Sequence, residues 1–305
     1  MTSVLYDVPG PRARRRNAIL AIVTIAVVVA VLGFVAWRLS LTNQYDASKW
    51  NVFTYSLVWQ TIGEMLVNTL RAFALAAVLS LALGFVLAIG RLSDHAWVRV
   101  PVTVVTELFR AIPVLVLMMI LYYGLPSLGV TMDPYWAVVL ALMAYNGSVL
   151  AEALRAGVES LPKGQSEAGY AIGLRKSGVM VKVLLPQAIR AMLPVIIAQL
   201  VVVMKDTALG FLITYQELLY YAKLLSSQQG RPILQAALII GGIYVIMCLL
   251  LSWLAKWVEQ RSRRSPKVAK TVAHDPAADD EGTLTEAIAL QSRSRRIESA
   301  DDSER

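Results

Sequence analysis

Long apolar stretches alternate with short polar links over most of the chain. Six of these stretches, Ala18–Trp37, Gly63–Ile89, Val104–Tyr123, Tyr135–Ala153, Ala191–Ile213 and Ile233–Trp257, are long enough to cross about 30 Å of hydrocarbon as helices. The pattern predicts an all-α fold, a polytopic membrane helix bundle of about six transmembrane helices. Arg12, Arg14, Arg15 and Arg16 precede the first stretch, as in a signal peptide. Its apolar run is longer than a signal's, and no small-x-small cleavage pattern precedes Trp37, so it reads as a retained anchor. Small residues mark the helix faces, among them Ala74, Ala77, Ser80, Gly84 and Ala88, with Gly241 and Gly242 further on. In lipid such residues let backbones approach closely, which predicts a packed bundle.

Charge sets the direction. The N-terminal arginines, the Arg91–Arg99 link, the loop holding Lys163, Arg175, Lys176 and Lys182, and the Arg261–Arg264 cluster alternate so as to share one side. Lys49, Lys223 and Arg231 are the few basic residues opposite. The positive-inside rule then places both termini and the 155–190 loop in the cytoplasm of a multi-pass inner (plasma) membrane protein. Residues 1–17 form a cytoplasmic segment and 18–37 an extra first transmembrane helix. Residues 61–259 form the main transmembrane domain, and 260–305 a hydrophilic tail. The tail mixes Ala, Asp, Glu, Ser and Arg without an apolar face, which predicts disorder, with room for a short helix around Thr283–Gln291.

Composition narrows the chemistry. Hydrophobic residues are 57% of the chain and charged residues 16%, outside the range of soluble domains. The net charge of +8 sits at the ends of apolar segments, where membrane orientation explains it better than nucleic acid does. One cysteine, Cys248, cannot form an intrachain disulfide, and His95 and His274 stand far apart. No cluster has metal-ligand spacing, so no cofactor is expected in this chain. The segment Gly173-Leu174-Arg175-Lys176-Ser177 falls short of a phosphate-binding loop because Arg175 takes the place of the glycine before the lysine. Paired carboxylates, a nucleophile with its base or a metal cluster would mark an enzyme, and none is found. The chain reads as non-catalytic.

The cytoplasmic loop carries the most specific pattern. A turn at Ser160-Leu161-Pro162-Lys163-Gly164 leads into Gln165–Leu174, whose helix formers and late Gly173 predict a short helix. Ala168 and Gly169 give it a small face that a partner can approach, and Glu167 offers a charge or caps the start. An ordinary re-entry loop is the bland alternative.

This stretch resembles the EAA motif of ABC importer permeases. Glu167, Ala168, Gly173, Leu185 and Pro186 match at the expected spacing, while Gly169 and Val183 replace the usual Ala and Ile. Gly169 is expected to weaken the helix by about 0.5–1 kcal/mol relative to Ala. Glu107-Leu108-Phe109-Arg110-Ala111-Ile112-Pro113, Leu121–Pro126, Ala151–Gly157 and Lys205-Asp206-Thr207-Ala208-Leu209 are similar to the polar amino acid group. The Tyr6–Arg12 opening, the extra first helix and the tail most resemble permeases of actinobacterial glutamate importers. The resemblance covers about Thr61 to Glu259. It implies that Gly164, Glu167, Ala168, Gly169, Gly173 and Pro186 form a cytoplasmic coupling helix and its frame, docking on an ATP-binding cassette subunit that binds the ATP. It also implies a second permease subunit, an extracytoplasmic substrate-binding protein and alternating access. A secondary transporter would show paired repeats with broken helices, and a membrane scaffold would not need charges inside the bilayer.

Embedded polar side chains are the candidate cargo contacts, because charge in a bilayer is costly and faces a cavity or a partner. Asn68 and Arg71 lie two or three turns below the outer face of the second span. Tyr145 and Asn146 fall mid-way along the fourth, and Lys205, Asp206 and Thr207 in the outer half of the fifth. Arg71 can hold an α-carboxylate with its planar fork, and Asp206 an ammonium group. Lys205 and Asp206 can equally be packing residues, since neighbours on a helix point about 100° apart. Glu107 with Arg110 and Glu152 with Arg155 are spaced as structural pairs. Two cations, Arg71 and Lys205, favour an acidic amino acid such as glutamate, with glutamine or a basic amino acid as alternatives.

Overall fold

A computed structural model describes residues 10–227, 230 and 232–263, and every described element is helical. The expected helix at Thr283–Gln291, most of the tail and the start of the Tyr6–Arg12 opening lie outside the described residues. Five helices are long and apolar enough to cross a membrane: α1 (Pro11–Leu41), α2 (Ser56–Arg91), α5 (Pro134–Glu159), the Lys176–Ile213 run containing α8 (Leu185–Asp206), and α10 (Ile233–Arg263). Counting α3 (Ala96–Ala111) with α4 (Val114–Met119) as one bent span makes six.

That third span corrects the sequence expectation. Val104–Tyr123 reads as one helix, but the chain turns through 97° between α3 and the segment that follows it. Pro113 lacks the N–H an uninterrupted helix needs and drives the preceding residue out of helical geometry; Ile112 sits at φ −89°, ψ 122°. Proline shapes two further breaks. Leu125 and Leu185 each donate their backbone N–H five residues back, to the carbonyls of Ile120 and Met180. Both stand directly before a proline, Pro126 or Pro186. A proline ring clashes with the carbonyl four residues earlier, and the wider π turn relieves the clash.

The centre of the fold is the α2–α5 pair. A Cβ on Gly84 would lie 2.8 Å from Leu150 Cβ and 3.0 Å from the Gly147 carbonyl oxygen. A Cβ on Gly147 would meet Leu83 at 3.0 Å, so the two glycines set how closely the helices approach. Ser80 Oγ donates to the Leu142 carbonyl across the same seam at 3.3 Å. Ala72, Ala76, Ala137, Ala141 and Leu142 fill the adjoining core with Met118 of α4. Gly241 and Gly242 differ from this pattern: a Cβ on either would meet nothing within 4 Å, so no packing among the described residues calls for them. No residue of α1 is buried.

Ala47–Thr54 forms a 3-10 segment capped by Asp46, whose carboxylate accepts from the Ser48 N–H at 2.9 Å. Gln235 Nε2, fully buried at the start of α10, donates to the Gln44 carbonyl at 2.6 Å and ties the segment before that turn to the bundle. After α8 the chain tightens into a 3-10 run, Thr207–Ile213, and reverses at Thr214 with φ +64° before α9 (Leu218–Ser227).

Candidate functional site

The loop between α5 and α8 folds into α6 (Lys163–Ala171) and α7 (Lys176–Val179), followed by the π turn and α8. Helix α6 stops through two backbone bonds, Gly173 N–H to Tyr170 O at 2.9 Å and Leu174 N–H to Gly169 O at 3.2 Å. This Schellman closure needs a left-handed residue, and Gly173 supplies it at φ +80°. Gly164, Glu167, Ala168 and Ala171, at positions i, i+3, i+4 and i+7, are all exposed and share one face. Glu167 is the one large side chain on it. Tyr170 and Ile172, 48% and 76% exposed, add apolar surface at the helix end, a feature not among the sequence candidates.

Gly169 and Pro186 do not belong to that face. Gly169 is buried, and a Cβ there would lie 2.9 Å from Val179 Cγ2, so glycine is what lets α6 lie on α7. The expectation that Gly169 makes room for a partner is therefore corrected: it makes room for this chain's own Val179. Pro186 bends the re-entry into α8, and Gln187 Nε2 beside it donates to Gln165 Oε1 at 3.1 Å, joining the loop to the membrane helix. Lys176 pairs with Asp94 and donates to the Leu92 carbonyl, tying the loop to the α2–α3 turn. The hydrogen bond from Lys176 holds the exposed Asp94 carboxyl below the usual carboxylate range.

Beside this loop a charge network clamps the C-terminal ends of α2, α3 and α5. Both expected pairs form, Glu107–Arg110 at 3.1 Å and Glu152–Arg155 at 2.6 Å. Arg91, which sequence reasoning left as a loop charge, joins them, with Nη1 3.0 Å from Glu107 and 3.0 Å from Glu152. Its side chain is 9% exposed, making it the buried hub of the three helices.

On the opposite side, a cavity of about 630 Å³ opens between α2, the start of α5 and residues 214–216. Asn68 Nδ2 donates to the Gln216 carbonyl at 3.0 Å, and Tyr215 OH donates to the Asn68 carbonyl at 2.8 Å, so Asn68 pins one wall. Arg71 lines the cavity and has neither a salt bridge nor a hydrogen-bond acceptor among the described residues. Asp133 lines it too. As N-cap of α5 it spends one oxygen on the Tyr135 N–H at 2.8 Å, leaving the other for a ligand. Asp133 is not among the sequence candidates; the signal for it is the Asp-Pro pair at a helix start.

The remaining candidates are not brought to this cavity. Asn146 is fully buried, donates to the Leu142 carbonyl at 3.0 Å and accepts from Gln199 Nε2 at 2.6 Å, a bridge from α5 to α8. Tyr145 packs against the core beside it. Thr207 is buried and donates to the Met204 carbonyl at 2.7 Å. Lys205 is exposed in a separate cleft of about 480 Å³ shared with Val201, Tyr244 and Cys248. Asp206 is half-buried and holds no hydrogen bond or salt bridge among the described residues. The two-cation basis for an acidic cargo thus loses Lys205. A further carboxylate escaped the sequence reading: Glu217 is fully buried and accepts from the Leu219 and Tyr220 N–H groups at 2.9 and 2.7 Å and from Tyr244 OH at 2.5 Å.

Comparison with known proteins agrees with this layout. Residues 80–264 match the family described as binding-protein-dependent transport system inner membrane component. The glutamate transport system permease protein GluD of Corynebacterium glutamicum is 38% identical over 251 residues, covering 81% of this chain and 92% of its own. The arginine transport system permease protein ArtQ of Bacillus subtilis is 32% identical over 205 residues, covering 65% and 90%. A crystal structure of an amino acid ABC transporter with histidines superposes with a TM-score of 0.62 at 28% identity, over 66% of this chain and 94% of that one. The family match over residues 80–264 and these relatives mean that the chain belongs to the binding-protein-dependent transport system inner membrane components, as an ABC importer permease subunit for amino acids.

Proposed function

We propose that this permease imports a polar amino acid, with glutamate favoured, and that Arg71 receives the substrate carboxylate in the outer cavity. The observation that carries the reading is Arg71 lining the cavity, with no salt bridge or hydrogen-bond acceptor among the described residues, alongside Asp133. A guanidinium and a carboxylate in one cavity suit the two charges every amino acid carries. The preference for glutamate rests on the Corynebacterium relative, since permeases named for arginine and for glutamine stand at 32% and 30% identity. Competition uptake in cells expressing the whole transporter tests it: glutamate and aspartate should displace labelled glutamate. Displacement by arginine and lysine alone would overturn the acidic reading.

The exposed face of Gly164, Glu167, Ala168 and Ala171 is the surface on which a separate ATP-binding cassette subunit docks. Nucleotide-driven movement there tilts the bundle through the Lys176–Asp94 tie and the Arg91 network, so that the cavity changes sides. An extracytoplasmic binding protein delivers the cargo to a pair of permease subunits.

Both termini lie in the cytoplasm in this reading, and loop accessibility checks it. In a Cys248→Ser background, Lys49→Cys should react with an impermeant maleimide in intact cells. Lys163→Cys should react only after the membrane is opened. Equal labelling of both from outside would reject the topology.

A further inference from the structure

Glu217 is the one fully buried carboxylate among the described residues, and it adjoins the cavity wall formed by Thr214, Tyr215 and Gln216. It caps α9, since Oε2 accepts from the Leu219 N–H and Oε1 from the Tyr220 N–H. Capping alone does not account for it. Serine, threonine, aspartate or asparagine serves that position, and a buried charge is costly unless it is fully paired. The longer side chain reaches one partner more, the Tyr244 hydroxyl of α10, which donates to Oε2 at 2.5 Å.

That bond completes a clamp on the chain reversal. Asn68 of α2 holds Tyr215 and Gln216, and Tyr122 shares a hydrogen bond with Thr214 at 3.1 Å. Thr69, one residue on from Asn68, accepts from the Leu218 N–H at 3.3 Å. Of residues 214–218, Glu217 is the one hydrogen-bonded to α10 among the described residues. Helix α10 is otherwise thinly covered by its own chain: 22% of its apolar window is buried, against 67% for α5. Tyr244 also lines the cleft that holds Lys205, so the bond links that cleft to the wall of the Arg71 cavity.

We propose that Glu217 is a positioning residue: through Tyr244 it fixes, from α10, the wall that Tyr215 and Gln216 present to Arg71. A wall held in one place keeps the cavity in its capture-competent shape, and a loosened wall lowers the fraction of such molecules. Apparent affinity for cargo falls by that fraction, while the turnover step is untouched. The consequence for cargo rests on the Arg71 cavity being the receiving site, whereas the position of the wall does not.

The test uses the assembled transporter with its ATPase and binding protein. Tyr244→Phe removes the hydroxyl and keeps the ring, and Glu217→Asp keeps a capping carboxylate but shortens its reach. Each should raise the KM for uptake about fivefold or more, with Vmax and copurified ATPase unchanged. The double variant should be no worse than the worse single one, because both remove the same bond. In a Cys248→Ser background, a water-soluble maleimide should label Gln216→Cys in the purified complex several-fold faster once Tyr244→Phe or Glu217→Asp is added. That reaction needs no cargo. Faster labelling with an unchanged KM would thus keep Glu217 as the holder of the wall and move the cargo site away from Arg71. Wild-type labelling and KM in both single variants would overturn the proposal, as would KM costs that multiply in the double variant. Loss of assembly in both single variants would overturn it too, leaving Glu217 a residue of the fold alone.

Discussion

Arg71→Ala will leave the transporter assembled and raise the KM for amino acid uptake by roughly tenfold or more, the scale set by about 1.5–3 kcal/mol for a hydrogen bond to a charged group. The residue lies on the cavity wall with no acceptor among the described residues, so truncating it breaks no internal ion pair, and α2 keeps its packing through Ala72, Ala76 and Gly84. The loss therefore belongs to the substrate and not to the fold. Arg71→Lys retains the charge but not the planar fork, and recovery should be partial. Initial-rate uptake in proteoliposomes with the binding protein present gives both constants, and copurified ATPase subunit reports assembly. An unchanged KM in an assembled Arg71→Ala transporter would remove Arg71 from the cargo path and leave Asp133 without its counterpart.

The fold was legible wherever one rule decided the outcome. Apolar length located the long helices, and i, i+3 spacing found both the Glu107–Arg110 and the Glu152–Arg155 pairs. Failures came where two rules competed. Hydropathy ran unbroken through Val104–Tyr123, and Pro113 overruled it, because a missing N–H and a ring clash act on the backbone whatever the side chains prefer. The site was less legible, because cavity walls are built from residues far apart in sequence. Asn68 and Asp133 line one cavity with residues 214–216, where the chain reverses at Thr214 and Tyr215 OH reaches the Asn68 carbonyl. Lys205 lies in a cleft apart from Arg71, because spacing along a helix does not tell which direction around it a side chain takes. That direction depends on which side α5 covers. Glu217 was hidden for a related reason: its partners are two backbone N–H groups and Tyr244, a residue of another helix.

The coupling helix shows how geometry changes the choice of test. Motif spacing alone makes Gly173 and Ala168 equal targets for a bulky substitution. Gly173 sits at φ +80° and closes α6, so any side chain there costs roughly 1–2 kcal/mol of local structure before a partner is considered. Gly169 is no better, since even a methyl would meet Val179. Ala168 is exposed, helical and flanked on its face by Gly164, Glu167 and Ala171, so an indole can project from it without disturbing α6 or its contacts. Ala168→Trp should therefore leave the permease at normal levels in the membrane while ATPase copurification falls and uptake drops to background. Docked helices leave no room for roughly 150–250 Å² of aromatic surface between them and the groove that receives them. Ala168→Ser, nearly isosteric with the native residue, should restore both readouts and separate steric obstruction from any intolerance of change at this position. If Ala168→Trp keeps both its ATPase partner and its uptake, the exposed small face of α6 is not the surface through which nucleotide-driven movement enters the membrane.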